Sequence, residues 1–341
     1  MNDRFLRACR REPVDVTPVW FMRQAGRYMA EYRELRLRYS LLDICAVPEL
    51  AAAVTLQPVN AIDVDAAILF SDLLLPFTPM GLDFDFVKGE GPSIERPVRH
   101  ASDVDRVRTF EPREGLAHVL ATIRLLRREL DGRVPLIGFG GAPFTMAAYA
   151  IEGGPSTSYA TTKAFMFAQP DAWHRLCGRF ATMMADYLRA QIEAGVQAVQ
   201  VFDSWAGQLS RADYREFAWP HTKTIFDALA GTGVPTLHFG VGTGALLRDM
   251  RDAGGDVIGV DWRRPLDEAW AAIGHDRGVQ GNLDPTRLLG PVERLMASAD
   301  EVLRRAEGRP GHIFNLGHGI LPETNLEHVQ ALARHVHNYK H

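Results

Sequence analysis

The sequence predicts an α/β chain of the (β/α)8 TIM-barrel type, a single domain over residues 1–341 with a β-hairpin inserted after the second strand. Three observations carry that prediction. About eight short β-branched or aliphatic runs recur along the 341 residues, the number a closed barrel needs. The stretches between them have helical apolar spacing. Polar or glycine-rich groups sit just after the runs, where a barrel gathers its βα loops into one mouth. An open doubly wound sheet alternates strands and helices in the same way but spreads such groups along one edge.

In chain order, strands are expected near 16–20, 66–70, 134–139, 198–202, 236–239, 257–261, 278–281 and 313–316. The groups that follow them are Arg23 and Arg27, Asp72, Gly140 and Gly141, Asp203 and Ser204, His238, Asp261, Asn282 and Asp284, and His318. Between strands, 171–194 carries a stripe of Leu176, Phe180, Met183, Met184, Tyr187, Leu188 and Ile192, read as core packing. The last helix is expected from Asn325 to about His337, with Leu326, Val329, Leu332 and Val336 inward. In 81–98, Leu82, Phe84 and Phe86 alternate with acids before Gly89 and Gly91, a hairpin signal. The segment 152–158 reads as turns and a lid over the mouth.

The composition is 46% hydrophobic and 23% charged, which argues against disordered, collagen-like and disulfide-scaffold classes. No run approaches the roughly 20 apolar residues that cross a bilayer, and the first residues leave no room for a signal-peptide apolar segment. Cys9, Cys45 and Cys177 are odd in number and far apart, so a reduced, cytoplasmic chain without a structural zinc is expected. A net charge of −4 is weak and of the wrong sign for nucleic acid. The basic residues are nonetheless lopsided: 34 of the 38 are arginine, and only Lys88, Lys163, Lys223 and Lys340 are lysine. GC-rich coding accounts for that total, though not for where the arginines fall.

The most informative stretch is Arg23-Gln24-Ala25-Gly26-Arg27. On one helical turn, Arg23 and Arg27 would face the same way and repel unless an anion lay between them. Ala25 and Gly26 leave the backbone open, and N–H groups at a helix start would add to an anion site. Guanidinium forks bind carboxylates and phosphates bidentately. The competing reading is a solvated helix face, with Arg27 and Arg33 paired to Glu31 or Glu34.

PVWFMRQAGRYMAEYRELR resembles the N-terminal signature of the uroporphyrinogen decarboxylase family, and the resemblance continues in order through the whole chain. It covers FSDLL around Asp72, GFGGAPFTMAAYAIEGG around Tyr149, FDSWAG around Ser204, QGNLDP, and NLGHGI around His318. Ala30 departs from the pattern, which has proline there.

The resemblance implies a (β/α) barrel enzyme, a homodimer working without metal or organic cofactor. Its tetrapyrrole substrate would be uroporphyrinogen III, whose four acetate side chains become the methyl groups of coproporphyrinogen III in haem biosynthesis. Asp72 would meet the pyrrole N–H groups and stabilise a cationic intermediate. Arg23 is the implied proton donor, although a guanidinium is a poor acid, and a proton relayed through water or a substrate carboxylate serves equally. Arg23, Gln24, Ala25, Gly26, Arg27, Tyr149, Ser204 and His318 would contact substrate, with the His318 pKa raised by the anions. Arg33 and Arg36 are rim charges. Taken alone, Ser71-Asp72 before an apolar run also reads as a helix cap.

Rival readings start from other residues. Gly240-Val241-Gly242-Thr243-Gly244-Ala245, with Asp261 about 20 residues on, suggests a dinucleotide or S-adenosylmethionine site. It begins past two-thirds of the chain and leaves the early strands without a role. A barrel metallohydrolase would use His238, Asp261 and His318, yet the paired histidines such sites announce are missing from strand ends. Corrinoid methyltransferases of this fold use an H-x-C zinc pair, and here His238 is followed by Phe239 and Gly240. A non-catalytic anion-binding barrel would keep the arginines and have no use for Asp72.

Overall fold

The computed structural model describes residues 2–87 and 91–340. In chain order its strands are β1 (Ala67–Ile68), β2 (Phe84–Val87), β3 (Gly91–Ile94), β4 (Leu136–Gly141), β5 (Ala198–Asp203), β6 (Thr236–Gly240), β7 (Val257–Gly259), β8 (Gly278–Gln280) and β9 (His312–Ile313). Seven of them form one curled parallel sheet in the order β1-β4-β5-β6-β7-β8-β9, with helices on the crossovers. Parallel strands buried on both faces are continuous apolar runs, as in β6, where all five residues are buried.

The run at 16–20, expected as a full strand, makes only an isolated parallel bridge between Val19 and Phe314. Pro18 has no N–H to give a ladder, so its carbonyl accepts from Phe314 N (2.9 Å) while Trp20 N donates to Phe314 O (3.4 Å). On the other side Asp65 N donates to Val19 O (2.8 Å). The run thus lies between the two edges of the sheet. β2 and β3 pair antiparallel, Phe84 opposite Ile94 and Phe86 opposite Pro92. Of the turn expected at Gly89 and Gly91, only Gly91 falls within the described residues.

Inside the curl pack Trp20, Ala66, Ile137, Ala198, Leu237, Val257 and Ile313, with Phe5, Leu6 and Ala8 of the first helix (Arg4–Cys9) against them. A polar thread crosses this interior: Trp20 Nε1 donates to Gln280 Oε1 (2.9 Å), and Gln280 Nε2 to Gln200 Oε1 (3.0 Å). These pairings satisfy the Trp20 indole N–H and both ends of the Gln280 amide, while Gln200 Nε2 is buried with no hydrogen-bond partner among the described residues.

Outside the sheet, the helix Pro170–Ala194 starts on proline and ends before Gly195 at φ 118°, a position L side chains disfavour. Its predicted stripe is buried from Leu176 to Leu188, with Ile192 partly so. The terminal helix Leu326–Asn338 is capped by Asn325, whose side chain accepts from Glu327 N, and buries Val329, Leu332 and Val336. No helix among the described residues is long and apolar enough to cross a membrane. The three cysteines are free and buried.

Candidate active site

A cavity of about 400 Å³ opens at the C-terminal ends of the parallel strands, the end where α/β barrels carry their chemistry. Its wall is built first from strand-end aromatics. Phe139, Phe202 and Phe239 occupy the inward positions near the ends of β4, β5 and β6. They meet edge to face, with centroids 5.6 and 6.0 Å apart. Ile68, Phe70, Phe86 and Pro92 add to the lining, so the antiparallel pair β2-β3 covers part of it. A second recess, about 620 Å³, lies at the strand starts around Cys9, Thr236 and Arg277. Two of its cations are already matched, Lys223 by Asp227 and Arg251 by Asp276.

Six of the residues singled out in the sequence share the first cavity: Arg23, Ala25, Asp72, Tyr149, Ser204 and His318. Asp72 follows β1, and its Oδ1 accepts from Leu74 N at 2.8 Å. The cap reading therefore describes one oxygen; among the described residues no protein donor reaches Oδ2. Burial raises the Asp72 pKa, opposed by the Leu74 N–H and by Arg23, as expected for a carboxylate in apolar company.

Tyr149 projects from the helix Pro143–Glu152, its ring tilted on Trp205 with centroids 4.0 Å apart. Burial and then Asp72 push its hydroxyl up to about 12, with Arg23 opposing, so it stays an O–H donor at neutral pH. Ser204 directly follows β5, and Trp205 N beside it is anchored on Thr145 Oγ1 at 3.3 Å.

The arginine segment is not the helical turn its spacing suggests. Arg23 has φ 60° and is the third residue of a turn closed by Gln24 N to Phe21 O at 2.9 Å. Left-handed backbone ends any helix there, and the helix begins only at Ala30. Arg23 and Arg27 are therefore not stacked one turn apart, and no helix start presents N–H groups between them. Gln24 is fully buried; its Oε1 accepts from Phe21 N (3.1 Å) and its Nε2 donates to Ala66 O (3.0 Å). Its side chain holds the loop to the sheet rather than facing the cavity. Gly26 and exposed Arg27 lie outside the cavity lining.

The ion pairs of the solvated-face reading are not formed among the described residues, since Arg33 donates to the carbonyls of Arg27 and Tyr28, although Arg27 and Arg33 are exposed as that reading has them. Among the described residues no carboxylate lies within 4.0 Å of Arg23 or Arg27. Arg23 is thus a cation in a non-glycine left-handed conformation, a kind of strain that clusters at functional sites.

The protein's own groups shift His318 in the direction opposite to the rise expected beside substrate anions. Its pKa is pushed down to about 4, first by burial and then by Arg23 and Arg263, with Asp261 opposing. Its charged neighbours are mainly cations, so the ring is neutral at pH 7. Nδ1 accepts from Gly319 N at 2.7 Å, which leaves the proton on Nε2 as a donor. Sequence reading gives Gly319 only a chain-turning role and misses its contact with Arg23: a Cβ there would lie 2.4 Å from Arg23 Cδ and 3.1 Å from Arg23 Cβ. Gly319→Ala is expected to displace Arg23 and raise KM about fivefold with little change in melting temperature, as steady-state kinetics would read. The aromatic wall was overlooked as well. Its signal was available: Phe139-Gly140, Phe202-Asp203 and Phe239-Gly240 repeat an aromatic just before the strand end.

The rival constellations do not assemble. His238 is fully buried and turned to the helix side, its Nδ1 3.1 Å from Met250 O and 3.2 Å from Gly254 O. Among the described residues no group of three or more His, Cys, Asp and Glu side chains is placed to hold a metal. In the Gly240–Gly244 loop, Gly242 N donates to Asp261. The acid expected on a ribose instead ties the glycine loop down.

Three comparisons bear on the chain as a whole. The family model described as uroporphyrinogen decarboxylase (URO-D) matches residues 1–339. A uroporphyrinogen decarboxylase from Sorangium cellulosum is 60% identical over 338 residues, 99% of this chain and 97% of that one. One from Carboxydothermus hydrogenoformans is 57% identical over 337 residues, 99% and 96% of the two chains. Among solved structures, a methyltransferase from Methanosarcina mazei superposes with a TM-score of 0.81 over 98% of this chain and 97% of that one. At 23% identity that likeness concerns the fold alone. With matches of this identity running nearly end to end, this chain belongs to the uroporphyrinogen decarboxylase family.

Proposed function

We propose that the chain removes the carboxyl groups of the four acetate side chains of uroporphyrinogen III, giving coproporphyrinogen III in haem biosynthesis. The observation that carries the residue roles is the sharing of one aromatic-walled cavity by Asp72, with an unspent Oδ2, and the unpaired Arg23. We read the scaffold as one (β/α)8 domain over 1–341. In this reading 16–20 closes the ring, 81–98 is a hairpin inserted after the second strand, and two copies form a homodimer of twice the chain mass in light scattering.

The chemistry needs an electron sink, and the pyrrole provides one, so the reading calls on no metal or organic cofactor. Protonating the ring carbon beside the acetate-bearing carbon makes an iminium-like cation. Breaking the bond to the carboxylate releases carbon dioxide, and its electron pair flows into the ring as an exocyclic methylene forms. A proton then adds to that methylene, giving the methyl, and the ring carbon gives back its own. The net change is uptake of one proton and loss of one carbon dioxide per arm.

Asp72 Oδ2 accepts from the pyrrole N–H groups and stabilises the cation; preorganised charge in a dry site contributes several kcal/mol. Arg23 holds a substrate carboxylate near the ring and, directly or through water or that carboxylate, supplies the proton. Tyr149, Ser204 and neutral His318 donate to further carboxylates, while Ala25 leaves room for them. Gly26 and Arg27 enter at the rim, and Gln24 acts through the loop it holds.

Anaerobic incubation with uroporphyrinogen, then oxidation and chromatography, tests the function: a product ladder from eight carboxylates to four is expected, and unchanged substrate rejects it. Arg23→Ala is expected to weaken binding and rate together, about a hundredfold in kcat/KM, or ~2.7 kcal/mol. Tyr149→Phe is expected to be milder, about tenfold or less. Equal losses in both would point to misfolding, which melting curves would reveal.

A further inference from the structure

The cavity is short of positive charge for the ligand read onto it. Among its described lining side chains Arg23 alone is cationic at neutral pH, since His318 is held neutral. A ligand with eight carboxylates needs more partners than one guanidinium, and some must lie where its arms leave the cavity.

The loop after β7 places one there. Gly317 packs so tightly on this loop that a Cβ would come within 2.3 Å of Trp262 N. The Trp262 ring stands edge-on to His318, with centroids 6.4 Å apart, and the Arg263 guanidinium lies over that ring, 4.1 Å from its centroid. Behind it, Asp261 is 2% exposed; its Oδ1 accepts the Arg263 backbone N–H (3.1 Å) and its Oδ2 accepts Arg263 Nη1. Arg263 is therefore held at its backbone N–H and at Nη1, with its guanidinium carbon over an indole face, which limits where its remaining donors can point. Its side chain is still 52% exposed. The next residue goes the other way: Arg264 Nη1 donates to Gly244 O at 2.7 Å.

We propose that Arg263 is a further guanidinium receptor for substrate carboxylates, beside Arg23 and the rim residue Arg27, seating a side chain of the tetrapyrrole at the His318 side of the mouth. The inference rests on the reading of this cavity as the uroporphyrinogen site and adds a binding residue to it. Asp261 occupies one edge of the fork, and the fork has five N–H donors in all, so a carboxylate joins the other edge. Trp262 is the platform, and it also bounds His318, so Arg263 and His318 address neighbouring arms.

Anaerobic steady-state kinetics with uroporphyrinogen tests it on the wild type, Arg263→Ala, Arg263→Lys and Asp72→Asn. Arg263→Ala is expected to raise KM about fivefold to tenfold, with kcat within about twofold. Its kcat/KM should also fall less steeply with added salt. Arg263→Lys keeps the charge but not the flat fork, and should fall between Arg263→Ala and wild type. Wild-type KM and salt dependence in both Arg263 variants, at unchanged melting temperature, overturn the inference while a dead Asp72→Asn keeps the reading of the site. A wild type that leaves uroporphyrinogen untouched rejects that reading itself and the inference with it.

Discussion

Asp72→Asn is expected to lower kcat about a thousandfold, ~4 kcal/mol of lost transition-state stabilisation, while Kd for substrate moves by less than about threefold. The asymmetry comes from the geometry. Asparagine has the same shape, and its Oδ1 still accepts the Leu74 N–H that holds the loop after β1. What disappears is the negative charge, which matters only when the ring becomes cationic. Stability should move the other way. Because burial raises the Asp72 pKa in the fold, the associated stability is fully present below its unfolded value and is lost as pH rises through the folded one. At neutral pH the ionised carboxylate is thus a cost to the fold, and Asp72→Asn should melt at or above the wild-type temperature. A variant that is less active and less stable in proportion would point to a structural acid; one with wild-type turnover would remove the mechanism.

What the sequence made legible follows the range of the interactions involved. Strand ends and the order of the blocks around Asp72, Tyr149, Ser204 and His318 depend on local pattern, and the structure brings these four to one cavity. The helical turn assigned to Arg23 and Arg27 failed because spacing alone does not reveal backbone handedness. Gln24, bonded to Ala66 O more than forty residues on, and Arg23 at φ 60° make that loop, and neither is visible in a periodicity. The 16–20 run was read by its apolar content, whereas Pro18 decides how little of it can pair. His318 was assigned anionic neighbours from the ligand; the protein itself surrounds it mainly with arginines. Gly319 and Arg263 matter through contacts with Arg23 and Trp262, respectively, the first across almost 300 residues of chain.

The chain's two ends are tied at the opposite face, and cutting that tie is expected to have the largest effect on stability. Asp65, 1% exposed in its side chain, sits just before β1. Its Oδ1 accepts from Asn2 Nδ2 (2.6 Å) and Arg4 Nη1 (3.2 Å), and its Oδ2 from Val19 N (2.7 Å) and His337 Nε2 (2.7 Å). One carboxylate thus joins the first helix, the run that lies between the sheet edges, and the last helix. Burial alone would raise its pKa, but His337, the Val19 N–H and Asn2 outweigh burial and hold it below the usual value. For His337, burial is likewise outweighed by Asp65 and Asp63, and its pKa rises. The Asp65 share of stability is therefore present above its unfolded pKa and lost as pH falls through the lowered folded value. The His337 share is present below its unfolded pKa and lost as pH climbs through the raised one. Asp65→Ala removes the acceptor for four donors at once and is expected to cost about 3–5 kcal/mol, a fall in Tm on the order of 10 °C. Asp65→Asn keeps one acceptor oxygen and should lose less. The gap between wild type and His337→Asn should narrow on the alkaline side, as the histidine gives up its proton. Equal melting temperatures for wild type and Asp65→Ala across the pH range would mean that the sheet edges stay joined without this carboxylate.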